Sequence, residues 1–221
     1  MGKPYINNAV VGNGSMLGCI TETGELIRLY WPEIDFPQHL EKMLAGFFDF
    51  KAANSTIWFS EGDHQFSQRY LEDTNILETT AVFSRLPLQV TQTDFCLPDE
   101  PALVRHYSIR NLGGSDIHTG IGIASHVISS PQDMGNTLFD FQLDALVHYR
   151  HGSVWAIGSS LPVMQFQIGN NPFGAVWEGN LSGPDSIGMS SDGAMLWDMG
   201  TLPPGGMGEL TLYLVFAPTL A

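Results

Sequence analysis

Leu88-Gln89-Val90-Thr91-Gln92-Thr93-Asp94-Phe95 alternates apolar and polar side chains, the period at which one face of a β-strand is buried and the other wet. The same pattern runs through Ala102-Leu103-Val104-Arg105-His106-Tyr107-Ser108-Ile109-Arg110. Asn75 to Phe83 is rich in Thr and β-branched residues, and Leu210-Thr211-Leu212-Tyr213-Leu214-Val215-Phe216 has the composition of a core strand. Between such runs stand sharp reversals: Glu22-Thr23-Gly24-Glu25, Asn111-Leu112-Gly113-Gly114, His151-Gly152-Ser153, Asn170-Asn171-Pro172 and Pro203-Pro204-Gly205-Gly206. Short strands punctuated in this way predict an all-β, large antiparallel β-sandwich rather than a βαβ fold. Helical periodicity is nearly absent. At most one short helix is expected, over Pro37 to Leu44, with Asp35 as its cap, Pro37 in its first turn and Gly46 to end it. Pro172 to Met195, rich in Gly, Ser, Asn and Asp, reads as long loops between strands.

The 221 residues suffice for one substantial core, so a single domain over 1–221 is expected. With 9 Lys plus Arg against 23 Asp plus Glu the formal charge is −14, a field that repels phosphate backbones and anionic membranes. Nucleic acid and membrane are therefore excluded as expected partners. Cys19 and Cys96 lie in apolar runs and read as small hydrophobes rather than a disulfide. Met1-Gly2-Lys3-Pro4-Tyr5 leads to Asn7 and Asn8 instead of a long apolar stretch, which carries neither a secretory signal nor a membrane span. A cytoplasmic location is the expectation.

Glycoside chemistry needs two carboxyls about 5 to 9.5 Å apart. The candidates set among aromatics are Asp35, Asp94 beside Phe95, and Glu178 beside Trp177. Each has a simpler reading: a helix cap, a strand-end residue and a surface loop group respectively. The histidines at 39, 64, 106, 118, 126, 148 and 151 fall in no metal-ligand spacing, and neither a metal nor another cofactor is expected. Gly12-Asn13-Gly14 lacks the continuation of a phosphate loop and reads as a turn. Tyr30-Trp31-Pro32, leading to His39, is the most suggestive cluster. Flat aromatic faces stack on sugar rings and a nearby His or Asp can bond hydroxyls, although Trp-Pro at a strand end is also ordinary packing.

At this cluster the chain resembles the N-terminal opening of bacterial and archaeal glucoamylases and related members of glycoside hydrolase family 15. The resemblance rests on Val11-Gly12-Asn13-Gly14-Ser15-Met16-Leu17-Gly18, Gly24-Glu25-Leu26-Ile27-Arg28-Leu29-Tyr30-Trp31-Pro32 and Pro37-Gln38-His39. Gln68-Arg69-Tyr70-Leu71-Glu72-Asp73-Thr74-Asn75 and Asp144-Ala145-Leu146-Val147-His148-Tyr149-Arg150 extend it, and it weakens beyond residue 150. It implies a supersandwich that acts as a non-catalytic accessory domain. Catalysis in that family belongs to a following (α/α)6 barrel, where two glutamates perform an inverting hydrolysis of α-glucosidic bonds. Nothing in this sequence has the helical period of such a barrel, so no catalytic residue is carried over, and the barrel is expected downstream of Ala217-Pro218-Thr219-Leu220-Ala221. The resemblance implies that Tyr30, Trp31, Asp35 and His39 form a substrate- or interdomain-contact loop. The implied partners are the catalytic domain of the same polypeptide and an oligosaccharide. An exposed apolar docking face, able to self-associate, is a further expectation. A free-standing carbohydrate-binding module and a small sugar-modifying enzyme, as sugar epimerases are, stay open as alternatives.

Overall fold

Alternating segments bury one face each only by pairing, and the chain pairs them into two stacked antiparallel sheets. The structure is a computed structural model that describes residues 7–34, 38–52, 56–61, 63–128, 136–150, 152–181, 187–188 and 192–218. In chain order the first strands are β1 (Ala9–Gly12), β2 (Leu17–Ile20), β3 (Leu26–Tyr30), β4 (Leu40–Asp49), β5 (Ile57–Trp58) and β6 (Gln65–Tyr70). Then come β7 (Leu77–Val82), β8 (Leu88–Cys96), β9 (Ala102–Asn111), β10 (Ile117–Val127), β11 (Asn136–Asp140), β12 (Ala145–Arg150), β13 (Ser153–Ser159) and β14 (Gln165–Ile168). The helix α1 (Pro172–Glu178) precedes β15 (Ile187–Gly188), β16 (Asp192–Leu202) and β17 (Met207–Ala217). One sheet runs β1-β2-β3-β4-β10-β16-β14 with β5 also on β4, and the other runs β15-β11-β12-β13-β17-β9-β8-β7-β6.

The core lies between the sheets. Met43, Ala45 and Phe47 of β4, Ile121 and Ile123 of β10 and Trp197 of β16 face Leu103, Tyr107 and Ile109 of β9, Trp155 and Ile157 of β13 and Leu210 to Phe216 at every second position of β17. Even the deep Trp197 keeps its indole N–H satisfied, donating to Ser159 Oγ at 2.9 Å.

The helix expected at 37–44 is instead the first half of β4; Asp35 and Pro37 lie outside the described residues. Its misleading pattern has a physical origin. Lys42 pairs with His126 but Leu40 with Val127, so Glu41 is the extra residue of a β-bulge. The bulge spaces the inward Leu40 and Met43 three apart, as a helix would. Beyond it, Gly46 and Phe48 on the outer face lie buried beneath a second layer, which hides the alternation.

That layer is α1, in the stretch expected to be loops. Asn171 caps it, its side-chain oxygen accepting from Gly174 N–H at 3.2 Å; Pro172 stands in the first turn, and Gly179 ends it at φ 68°, a left-handed conformation that favours glycine. Seven residues do not hold a helix in water. Val176 anchors this one by resting on Gly46 and Gly122, which face each other across β4 and β10. A Cβ at Gly122 would stand 2.8 Å from Val176 Cγ1. Fully burying that valine stabilises the contact by about 1.5–3 kcal/mol.

Candidate functional site

The chain leaves β3 through a cis Trp31–Pro32 bond. The half-buried Trp31 ring stacks on Phe216 at 5.4 Å, and Phe216 stacks in turn on Trp155 at 5.7 Å. His39 Nε2 donates to the Trp31 carbonyl at 2.8 Å, and the His39 ring lies 4.9 Å from Phe216. Of the expected contact loop, the structure therefore brings Trp31 and His39 together. His39 is 1% exposed, so what it can do is hold Trp31 in place. Tyr30, half-buried, pairs with Leu17 at the end of β3, and Asp35 lies outside the described residues.

The aromatic ladder ends on His148, whose ring is 4.5 Å from Trp155. His148 Nδ1 meets Thr137 Oγ1 at 3.0 Å and Nε2 meets Ser125 Oγ at 3.2 Å. Ser125 donates its own proton to the Gly193 carbonyl at 3.3 Å, so it accepts from Nε2–H, and Thr137 then donates to the bare Nδ1. Two hydroxyls thus satisfy a neutral imidazole. Burial pushes its pKa down to about 3.

Asp94, read from sequence as a strand-end residue, stands two residues from the end of β8 and is buried in the core, with Arg105 Nε donating to its Oδ1 at 2.6 Å. Gln92 Nε2 donates both to Asp94 Oδ2 at 2.7 Å and to the Gly24 carbonyl at 2.9 Å, tying the second sheet to the β2–β3 turn of the first. Burial and then the Asp94 charge raise the neighbouring Tyr107 phenol, against the pull of Arg105, to about 12. Tyr107 Oη makes no hydrogen bond of full geometry even so. The cavity beside this cluster, lined by Gly24, Met43, Phe59, Gln92 and Arg105, measures about 10 Å³. That is room for about one water, not a sugar ring. Glu178 is exposed at the end of α1, in keeping with a surface group. His106 bonds Thr211 Oγ1 at 2.9 Å on the outer face. Cys19 and Cys96 are buried and form no disulfide, and burial, with Asp94 nearby, raises the Cys96 thiol to about 12.

Two features escaped the sequence reading. Glu61, Asp63 and His64, in the loop between β5 and β6, each offer one ligand atom, all within 4.8 Å of one another. They are near neighbours in the chain but match no standard ligand spacing. The second is the place of the exposed apolar face, which was expected without a position: at the β11–β12 turn Phe141 is 71% and Leu143 62% exposed. Phe141 packs edge-on to Phe166, itself stacked on Phe139 at 4.1 Å, and Met164 is 45% exposed alongside. Asp144 fixes the corner by accepting from Val163 N–H at 2.8 Å. Trp31 stands near the opposite end of β12, since Phe216 pairs with Trp155 and Trp155 with His148.

This two-sheet arrangement has known counterparts. It superposes on a bacterial glucoamylase solved with acarbose at a TM-score of 0.79, with 12% identity, over 97% of this chain and 32% of the glucoamylase. The chain has the fold of that part of the glucoamylase. It also superposes on a putative aldose 1-epimerase of Escherichia coli K12, with TM-score 0.63 and 11% identity, over 96% of this chain and 99% of the epimerase. A GalM/aldose epimerase homologue of C. elegans gives a TM-score of 0.62 at 8% identity, over 96% of this chain and 98% of its own. In sequence, an uncharacterised glycosyl hydrolase of Methanocaldococcus jannaschii is 24% identical over 196 residues, 86% of this chain. The chain spans 31% of that relative's length. No protein-family model matches the chain. Among the described residues, no helix is long and apolar enough to cross a membrane.

Proposed function

We propose that this chain serves as a non-catalytic accessory supersandwich of a glucoamylase-like glycoside hydrolase, in the cytoplasm, packing on and bracing an (α/α)6 barrel that hydrolyses α-glucosidic bonds. The superposition over 97% of the chain on about a third of a glucoamylase is the observation that carries this reading. The hydrolase similarity over 86% of the chain supports it. Trp31, set by His39 and preceded by Tyr30, borders the barrel or its sugar; a rigid scaffold lowers the ordering cost of such a loop. The apolar corner at Phe141 is the competing docking face. In the protein that carries both parts, Trp31→Ala reduces hydrolysis and loosens docking if the loop is the contact. Should Phe141→Ser with Leu143→Ser release the catalytic part while Trp31→Ala changes nothing, the contact is the corner instead.

The epimerase-like structures are matched over nearly their full length, which favours a second reading: a complete small sugar-modifying enzyme. Maltose hydrolysis and aldose mutarotation, followed by polarimetry on this chain alone, separate the two. The accessory reading expects neither. Turnover abolished by a single carboxylate or histidine change would replace it with the second.

A further inference from the structure

We propose that Glu61, Asp63 and His64, all on the β5–β6 loop, bind a divalent first-row transition cation, with Zn²⁺ the best fit.

His64 lies between Phe83, stacked at 4.5 Å, and Phe66 at 5.8 Å, and its side chain is sealed from solvent. Its Nε2 contacts the Trp58 carbonyl at 3.2 Å. A carbonyl only accepts, so Nε2 carries the proton, and the neutral ring leaves its lone pair on Nδ1. Nδ1 is buried and makes no hydrogen bond, yet it faces Asp63 Oδ1 at 3.4 Å. A lone pair aimed at a carboxylate oxygen is repulsive unless a proton or a metal cation stands between them, and the Glu61 carboxylate beside the pair completes a set that can hold the metal. Metal-binding histidines are characteristically held in this way, the far ring nitrogen donating to a carbonyl.

The carboxylates are equally set. Glu61 Oε1 accepts from Trp58 N–H at 3.0 Å, and the Glu61 amide donates back to the Trp58 carbonyl at 3.0 Å, which closes the loop. Asp63 Oδ2 accepts from Ser84 Oγ at 2.9 Å, leaving Oδ1 toward His64. The three ligand atoms already lie within 4.8 Å. Bonds of about 2.0–2.2 Å to one ion require them to close by roughly 1 Å, a small rotation for the exposed Asp63. One imidazole nitrogen with two carboxylate oxygens suits Zn²⁺ or Mn²⁺ better than Ca²⁺ or Mg²⁺, which prefer oxygen alone. The overall charge of −14 draws cations toward the surface. Arg85, paired with Glu61 Oε2, is the resident competitor.

Calorimetric titration of the untagged chain with ZnCl₂ and with CaCl₂ tests the site. One equivalent of Zn²⁺, bound more tightly than Ca²⁺ and released by EDTA, is expected. Asp63→Asn and His64→Ala abolish this uptake, while Arg85→Gln tightens it several-fold by removing the competing cation. Asp63 is exposed, so Asp63→Asn remains informative if the His64 variant fails to fold. No stoichiometric uptake by the unmodified chain, or uptake undiminished in Asp63→Asn, overturns the proposal.

Discussion

Mild acid should loosen the sandwich from inside, through His148. An unfolded histidine titrates near ~6.5, whereas burial holds this one down to about 3. Between those values the unfolded chain binds a proton that the folded chain refuses, so stability is fully present above pH ~6.5 and falls as pH drops toward 3. At about 1.4 kcal/mol per pH unit, moving from neutral pH to pH ~5 removes about 2 kcal/mol, and the whole shift is on the order of 4–5 kcal/mol. For a chain of this size that predicts a Tm lower by about 4–8 °C at pH ~5. Other groups titrate too, so the decisive comparison is His148→Gln, whose amide can still bond Ser125 and Thr137 without a proton to gain. The variant should be less stable at neutral pH but lose less on acidification, measured by thermal unfolding across the pH range. Parallel curves for the two proteins, or an NMR titration of His148 near its unfolded value, would refute the reasoning.

The Asp94–Arg105 pair should behave as a buried couple. Arg105→Met strands a carboxyl in the core and costs about 3–5 kcal/mol in urea unfolding, while Arg105→Met with Asp94→Leu recovers most of that loss; additive single costs would argue against a coupled pair. Gly122→Ala drives a methyl against Val176 and should cost about 1–3 kcal/mol, with Val176→Ala in the same chain giving part of it back. Both cysteines should resist a thiol reagent in the folded protein and react once urea exposes them, because each is buried and the Cys96 thiol is raised to about 12. Fast labelling without denaturant would contradict that packing.

Legibility in the sequence followed the number of buried faces. β7, β8 and the second half of β9 have one face inward and one outward, so their alternation could be read directly, and the bounds of the three strands agree within a residue or two. β4 is covered on both faces and bulged, and its Met43-Leu44-Ala45-Gly46-Phe47-Phe48 run carries no period to read. The end signals of α1, Asn171-Pro172 and Gly179, were present, but about two turns of helix among Gly and Asn give too little pattern to outweigh the loop composition. At the candidate loop, the proximity of Trp31 and His39 was legible as clustering. Their shared partner Phe216 was not, because it arrives from the far end of the chain. Asp94 and Arg105 sit on adjacent strands in register, and nothing local distinguishes such a pair from two surface charges.

The strand order sets a timetable for synthesis. When the ribosome has made the chain only through β10, β9 lacks β17 and β10 lacks β16, so each half-built sheet presents an unpaired inner strand. Both gaps close only with β16 and β17. Until residue 217 has emerged, the nascent protein carries two sticky seams, and folding should arrive late and as one event, with chaperone demand concentrated in that interval.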